Sequence, residues 1–320
     1  MKYSGLEEKC YPYLQTPLYK GRLANGLTVY LHPKPDFKET YGMMTVGFGA
    51  ANTVFKAKKQ TEFVTYPTGI AHFLEHKLFE MENDRDVLQE FSKLGTDANA
   101  YTSFYQTSYL FSTAAEVLPS LALLQEFLRE VSFTEESVER EKAIIAQEIE
   151  MYQDEPDSRL YNEILASLYP GSPFQDDIAG NIASIQDITV QSLKENFEAF
   201  YHPQNMTLFL VGNFELEDVW KGIQEQQTTD VSQSILVEHQ PLTNNPILPH
   251  RTSQMEVASP KLAIGVRGNG QLEVTSLYRF RLSLSLLFSM LFGWTSMRHR
   301  DLYEQGKIDS SFSFHLEVRP

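Results

Sequence analysis

The chain has 320 residues, of which 42% are hydrophobic, and it carries a formal net charge of −15. This size allows two domains with buried cores, and the single cysteine, Cys10, excludes an intramolecular disulfide and indicates a reducing compartment. The negative charge argues against a nucleic-acid partner, because neutralising phosphates requires a basic surface.

Neither end of the chain carries a membrane signal. The first 17 residues lack the apolar core of a signal peptide, and no apolar run approaches the roughly 18 residues of a membrane span. We therefore expect a cytoplasmic protein with no membrane partner.

Residues 1–215 alternate strand and helix signals. Strands are predicted at 21–32, 41–49, 96–103, 107–114 and 206–213, the first containing an Asn25-Gly26 hairpin turn. Helices are predicted after the caps Thr68 and Asp84, and at 116–131, 134–152, 157–168 and 190–200, with Thr134 as a third cap and Gly95 as a stop. Hairpins with runs of helices between them predict an α+β fold, with a mixed, mostly antiparallel sheet covered by helices.

The composition changes after this region. Residues 224–249 are rich in Gln, Thr, Ser, Asn and Pro, which is typical of a linker. We predict a first domain at 1–223, a linker at 224–249 and a second domain at 250–320, with a strand at 261–269, a helix at 278–293 and a strand-like alternation at 310–320. Because that second domain is so short, we expect the chain to be part of a longer polypeptide; a small complete domain is the alternative.

A His-x-x-Glu-His motif carries the chemistry. His72 and His76 lie one helical turn apart on one face, so both imidazoles can reach one metal ion. Zinc accepts two such nitrogens with one carboxylate from elsewhere and leaves a fourth position open. Glu75, next to a ligand, can act as a general base toward water that attacks a peptide carbonyl. The alternative is a surface helix whose polar residues are unrelated.

The third ligand is expected from the helix at 134–152. One stripe of that helix carries two carboxylates, Glu141 and Glu148, among apolar residues, whereas Glu150 falls on another side and is expected to be solvated. The stripe consists of Val138, Glu141, Ile145, Glu148 and Tyr152. Buried carboxylates need a cation or strong donors opposite them, and zinc would supply the charge. A salt-bridged helix face is the alternative.

These motifs together resemble the insulinase/pitrilysin family of zinc peptidases, which carries the inverted His-x-x-Glu-His order. The resemblance runs from about Gly21 to Asn213 through the blocks ANGLTVYL, GIAHFLEHKLFE, GTDANAYTSFYQTSYLF and EREKAIIAQEIEMY, and a last block over 179–213. It implies one Zn²⁺ per chain, a fold of two similar α+β domains, and a peptide substrate.

Residue by residue, the resemblance implies that His72, His76 and Glu148 are the zinc ligands and Glu75 the base. It places Glu141 at the second acidic position, where it would orient a ligating histidine. Glu148 follows His76 by 72 residues (148 − 76), slightly short of the family spacing, which we interpret as a loop deletion. Lys77 and Gln106 also depart from the family pattern.

The resemblance implies further that the strand of Asn99, Ala100 and Tyr101 pairs with the substrate backbone. An ordinary sheet edge is the alternative. Family members enclose substrate between two homologous halves, and the distant half supplies an Arg and a Tyr. Arg298, Arg300 and Tyr303 have that chemistry, but we expect them to be surface residues of a helix in the second domain.

The leading hypothesis is therefore a cytoplasmic, bacterial zinc endopeptidase that processes peptides or short unfolded segments. Its partner would be a homologous non-catalytic subunit or a second copy of the chain. A non-hydrolytic peptide-binding or scaffold subunit is the alternative, although it would have no use for Glu75. A metal-stabilised structural protein is a third reading, which the absence of cysteine ligands disfavours.

Overall fold

A computed structural model describes residues 4–56, 61–82, 85–129, 131–227, 237–239, 245–268 and 276–318. The chain divides into two compact units, Met1–Gly265 and Val266–Pro320. Among the described helices, none is both long and apolar enough to cross a bilayer.

The first unit is built on a seven-stranded sheet with the order β1-β2-β3-β11-β4-β10-β9. Its strands are β1 (Leu6–Lys9), β2 (Leu18–Arg22), β3 (Thr28–Pro33), β4 (Thr40–Val46), β9 (Thr96–Thr102), β10 (Thr107–Thr113) and β11 (Met206–Gly212). The β3–β11 pair is parallel and the other five pairs are antiparallel. The predicted α+β fold with a mixed, mostly antiparallel sheet is confirmed.

Two smaller sheets flank this one. They consist of β5 (Val54–Lys56), β6 (Val64–Thr65) and β12 (Glu238–His239) in one sheet, and β7 (Glu80–Met81) and β8 (Arg85–Asp86) in the other. The second small sheet lies in the segment of chain between two helices, and β8 is followed directly by the second of them.

Eight helices are described in the first unit: α1 (Ile70–Leu78), α2 (Val87–Lys93), α3 (Val117–Phe127), α4 (Glu135–Asp154), α5 (Pro156–Leu168), α6 (Ile182–Gln186), α7 (Val190–Phe200) and α8 (Leu216–Gln226). β4 and β11 alternate buried with half-buried residues, as strands do when one face of a sheet is covered. α1, α2 and α3 contact β9 and β10. Residues such as Leu31, Met44, Phe73, Phe111 and Leu208 form the core between sheet and helices.

Most predicted elements are confirmed, and the caps show the main differences. α1 begins after Gly69 rather than Thr68, because Gly69 adopts a left-handed φ of 88° and a Cβ there would lie 2.3 Å from the Ala179 carbonyl oxygen. α2 is capped by Asp86, which accepts from the Leu88 and Gln89 amides. The predicted cap Asp84 lies outside the described residues. Thr134 caps α4 through a capping box, as predicted.

The second unit contains α9 (Leu277–Phe292) and α10 (Met297–Glu304). The helix predicted at 278–293 is confirmed. The strands predicted at 261–269 and 310–320 are wrong over their described parts, 261–268 and 310–318. Leu262 and Ile264 are each 84% exposed, and an apolar alternation forms a strand only when a second strand accepts its backbone hydrogen bonds.

Much of the predicted linker, at 228–236 and 240–244, lies outside the described residues, and the proposed domain bounds stay a prediction.

Candidate metal centre

α1 places two imidazoles side by side. His72 and His76 are one turn apart, and their ring centroids lie 4.5 Å from each other with an interplanar angle of 62°. The apolar positions between them, Phe73 and Leu74, are fully buried against the core. Because the buried side of α1 is anchored in this way, the histidine side of the helix has a fixed direction.

α4 contacts α1 and brings a carboxylate to both rings. Glu148 Oε1 lies 3.7 Å from His72 Nε2, and its Oε2 lies 3.5 Å from His76 Nε2. One ligand atom from each of the three residues falls within 4.8 Å of the others. Two ligands about 2.0–2.2 Å from a tetrahedral zinc ion would lie about 3.3–3.6 Å apart, so these residues fit a divalent ion with little movement.

The orientation of α4 follows from its sequence. Val138, Ile145 and Ile149 are buried, and they hold one side of the helix in the core. Glu141 and Glu148 lie beside that buried side and are partly covered, while Glu150 is exposed as predicted. Tyr152 was predicted on the buried stripe, but it is 41% exposed, because the buried side of the helix ends at Ile149.

Glu141 fixes the second imidazole. Its Oε1 lies 2.9 Å from His76 Nδ1. When Nδ1 carries the proton and donates it to Glu141, Nε2 keeps a lone pair directed toward Glu148. Burial lowers the pKa of His76, but the hydrogen bond and charge of Glu141, together with the charges of Glu148 and Glu75, outweigh burial and raise it.

His72 is held neutral instead. Burial, followed by the neighbouring charge of His76, lowers the pKa of His72 to about 3. A neutral ring is the form that binds a metal. Its Nδ1 is buried without a hydrogen-bond partner among the described residues. The two histidines therefore differ, since an acidic partner orients one ring and packing alone orients the other.

Glu75 lies between the two histidine positions and is only 7% exposed. Burial raises the pKa of its carboxyl, the hydrogen bond from Thr102 and the charge of His76 lower it, and the charge of Glu148 raises it. A buried carboxylate with a raised pKa is a stronger proton acceptor than an exposed one. This arrangement suits a general base.

A cavity of about 650 Å³ opens beside Glu75 and His76. The sheet edge lines it through Asn99 and Ala100, and α4 lines it through Glu141 and Ile144. Its volume falls in the range of about 300–1,000 Å³ that ligand-binding clefts have.

β9 ends the sheet, and its described pairing is with β10. Asn99 and Tyr101 point to its exposed side, and the Ala100 amide donates to Asn99 Oδ1 at 2.8 Å. Gln106, in the turn that follows, lies 3.4 Å from the Tyr101 hydroxyl. The predicted edge position of Asn99, Ala100 and Tyr101 is confirmed, and their role toward substrate stays a prediction.

Two features of the site were not predicted from the sequence. Lys77 is fully buried and its amine contacts Glu80, which also accepts from Arg140 at 3.1 Å. Thr102 donates to Glu75. Apolar residues near Lys77 in its helix could have indicated that this side chain is buried. No pattern in the sequence near Thr102 indicates its bond to Glu75.

In the second unit, α10 carries Arg298, Arg300 and Tyr303 on exposed positions, as expected for helix-surface residues. A cavity of about 400 Å³ there is lined by Trp294, His299 and Tyr303, among others. The described residues of that unit contain no group of three metal-ligating side chains.

Two family models match the chain from residue 64 to residue 319, with a short gap at 182–186. The family described as Insulinase (Peptidase family M16) matches residues 64–181, and the one described as Peptidase M16 inactive domain matches residues 187–319. The first match contains the histidine motif, Glu141 and Glu148.

The chain is also similar to individual proteins. The protein named zinc protease YmfH of Bacillus subtilis is 40% identical over 312 residues, 95% of this chain and 72% of YmfH. The protein named mitochondrial-processing peptidase subunit beta of Schizosaccharomyces pombe is 30% identical over 203 residues, 62% of this chain and 42% of that protein. The crystal structure of an M16-like peptidase from Alicyclobacillus acidocaldarius has a TM-score of 0.83 at 34% identity, covering 94% of this chain and 71% of that one.

Proposed function

Because the chain belongs to the insulinase family of peptidases, family M16, we propose that it is a zinc-dependent endopeptidase that acts on peptides or short unfolded segments. One observation carries the proposal: ligand atoms of His72, His76 and Glu148 lie within 4.8 Å of one another, with the buried carboxylate of Glu75 beside them. Family membership supports the reaction class, and the YmfH relative is itself named a zinc protease.

We assign the metal to His72, His76 and Glu148. When bound, zinc would polarise the scissile carbonyl and lower the pKa of water. The chain's own residues prepare that position. Burial keeps His72 neutral, so one of its ring nitrogens carries a lone pair, and Glu141 holds the proton of His76 on Nδ1, so Nε2 of His76 carries another.

Glu75 is the general base of the proposal. Its carboxylate takes the proton from the attacking water and delivers it to the amine of the leaving peptide. It is not one of the three residues whose ligand atoms converge, so it stays free to exchange a proton. Its burial excludes bulk water, which would otherwise stabilise the charged form and weaken it as a base.

The edge of β9 is the proposed substrate-binding strand. An extended peptide would add to the sheet beside Asn99, Ala100 and Tyr101 and bring its backbone into the cavity next to Glu75. The side-chain oxygen Oδ1 of Asn99 would have to leave the Ala100 amide, so that a substrate carbonyl can take its place. Backbone pairing selects extended segments more than particular side chains.

The proposal includes a partner, either a homologous subunit without its own metal motif or a second copy of this chain. A related protein, in Schizosaccharomyces pombe, is named as one subunit of a processing peptidase. The chain spans 72% of YmfH and 42% of that subunit.

The test is a zinc-dependent digestion of a peptide library, read by mass spectrometry. The wild-type chain and the Glu75→Gln variant are assayed alone and with a candidate homologous subunit, with and without a chelator. We expect one zinc per chain in both proteins, but chelator-sensitive cleavage in the wild type only, with Glu75→Gln slower by about 10²–10⁴-fold.

Each outcome decides between functions. Cleavage by Glu75→Gln at the wild-type rate would refute the role of the base. A chain that binds zinc and peptide but cleaves nothing under any condition would support the non-hydrolytic binding subunit instead. A wild-type chain that binds no zinc would remove the metal centre altogether.

A further inference from the structure

A hydroxyl group next to the candidate metal centre forms a hydrogen bond with the proposed base. Thr102, the last residue of β9, points toward α1, and its Oγ1 donates to Glu75 Oε2. α1 also contacts β9 along this stretch, so the carboxylate and the hydroxyl approach each other from two rigid elements. The other oxygen of Glu75, Oε1, is not engaged by this bond.

A second hydroxyl, that of Thr107, lies next to Thr102 but does not donate a proton to it. Thr107, opposite Thr102 in the β9–β10 pair, lies 3.2 Å from it, between their Oγ1 atoms. The Thr107 hydroxyl donates its single proton to the Phe48 carbonyl at 2.9 Å. An ionised carboxylate oxygen only accepts, so Thr102 gives its single proton to Glu75, and no proton lies between the two threonine oxygens.

Two buried tyrosines lie in the same region, and their hydroxyls, of Tyr109 and Tyr201, are 2.7 Å apart. Burial raises the pKa of both phenols, and the charge of Glu75 raises them further, so both stay protonated. The hydroxyl that bonds to Glu75 is that of Thr102.

We propose that Thr102 is a positioning residue, which fixes the Glu75 carboxylate so that Oε1, rather than Oε2, faces the substrate cavity. The inference rests on the proposed function, because it assigns Thr102 a task in the same proton transfer. The described hydrogen bonds of Thr102 involve Glu75 and Thr107 and none of the proposed metal ligands. Thr102 therefore acts through the orientation of Glu75. A base misplaced by about 1 Å loses roughly 10²-fold in rate, so we expect loss of the Thr102–Glu75 hydrogen bond to slow the reaction.

The test compares three variants of the zinc-loaded chain. Thr102→Val removes the hydroxyl and keeps the shape, Thr102→Ser keeps the hydroxyl, and Thr96→Val is the matched control. Thr96 is a buried threonine on the same face of β9 whose hydroxyl bonds Ser120 at 2.7 Å, away from the site. Zinc content and melting temperature are measured for all of them, and Thr102→Ala serves if the valine variant does not fold.

Crystal structures of the zinc-loaded variants give a readout that does not depend on turnover. We expect Glu75 in one conformation in the wild type, Thr102→Ser and Thr96→Val, and a rotated or divided carboxylate in Thr102→Val, with full zinc in each. An unmoved Glu75 carboxylate in Thr102→Val would overturn the inference.

Kinetics provide the second readout under conditions where the wild type cleaves peptide. We expect kcat of Thr102→Val to fall about 10- to 100-fold with KM changed by less than about threefold, and Thr102→Ser to recover most of the loss. Equal kcat in Thr102→Val and Thr96→Val would contradict the inference while leaving the proposed function intact. If the wild type cleaves nothing, the proposed function fails, and the crystal structures still decide how Glu75 is held.

Discussion

His76 Nδ1 lies 2.9 Å from Glu141 Oε1, and the opposite ring nitrogen, Nε2, lies 3.5 Å from Glu148. One imidazole is thus held between two carboxylates that are two turns apart on α4. The nearer carboxylate sets the tautomer of the ring, and the farther one shares the proposed ion with it.

Glu141→Gln should weaken zinc binding by about 10- to 100-fold without abolishing it, because an amide orients His76 less firmly and adds no negative charge. Zinc affinity measured by competition with a chromophoric chelator checks this. Glu135→Gln, an exposed position in the first turn of the same helix, is the control and should bind as the wild type does. Equal affinities of the two variants would show that Glu141 does not support the metal.

Glu148→Gln should lose both zinc and activity, because a neutral amide replaces the single negative charge proposed to contact the ion. Zinc content after dialysis against a weak chelator is the measurement. Glu150→Gln, exposed two residues later on α4, makes the same chemical change and should retain zinc. Retained zinc in Glu148→Gln would mean that the third ligand lies elsewhere.

Lys77 and Glu80 give a prediction about stability rather than catalysis. Lys77 is fully buried, so Glu80→Ala leaves a charged amine without its partner and should lower the free energy of unfolding by about 3 kcal/mol. Lys77→Met removes the charge and should be close to neutral. Urea unfolding of the zinc-loaded proteins distinguishes the two, and a larger loss for Lys77→Met than for Glu80→Ala would contradict this account of the pair.

The metal-free protein should lose stability as the pH falls, partly through His72. The unfolded chain protonates this ring below about pH 6.5, whereas in the folded chain its pKa is about 3. Between these values the unfolded state binds the extra proton, so the contribution of His72 to stability decreases from pH 6.5 toward pH 3.

The contribution of His76 to stability depends on pH in the opposite direction. Its pKa is raised in the folded chain, so its contribution is present below about pH 6.5 and is lost as the pH rises through its folded pKa. A His72→Gln variant isolates the first effect. Urea unfolding without zinc at pH 7.5 and 4.5 should show a smaller loss for His72→Gln than for the wild type, and parallel losses would exclude burial of a neutral His72.

Much of the site could be predicted from local patterns. The spacing of His72 and His76, the capping box at Thr134 and the two carboxylates on one side of α4 each depend on residues within a few turns. In a helix, the spacing of residues along the sequence determines the directions in which their side chains point. The carboxylate stripe indicated that α4 supplies the third ligand but left a salt-bridged face as the alternative, since periodicity specifies a buried side but not which element covers it. The family resemblance favoured the metal.

Other features depend on long-range contacts. Position 69 suits only glycine, because a Cβ there would lie 2.3 Å from the Ala179 carbonyl oxygen, and α1 begins after it. The predicted strand at 261–269 failed over its described part for the reverse reason, since alternation was present but no described strand paired with it. α6 has only five residues, so its signal is weak without the core that it covers. α8 was not predicted, although Leu216, Val219, Trp220 and Ile223 recur at helical spacing.

The amino-acid sequence by itself determined the chemistry of this protein: two imidazoles one turn apart, a base beside them, and a carboxylate stripe on a second helix. Tertiary structure alone decided which atoms face each other. It placed Glu141 on Nδ1 of His76, left Nδ1 of His72 without a hydrogen-bond partner among the described residues, and directed the hydroxyl of Thr102 to Glu75. Such contacts join residues 27 to 65 positions apart, and hydrogen-bond direction at that separation is set by how the sheet and helices pack, which no local pattern encodes.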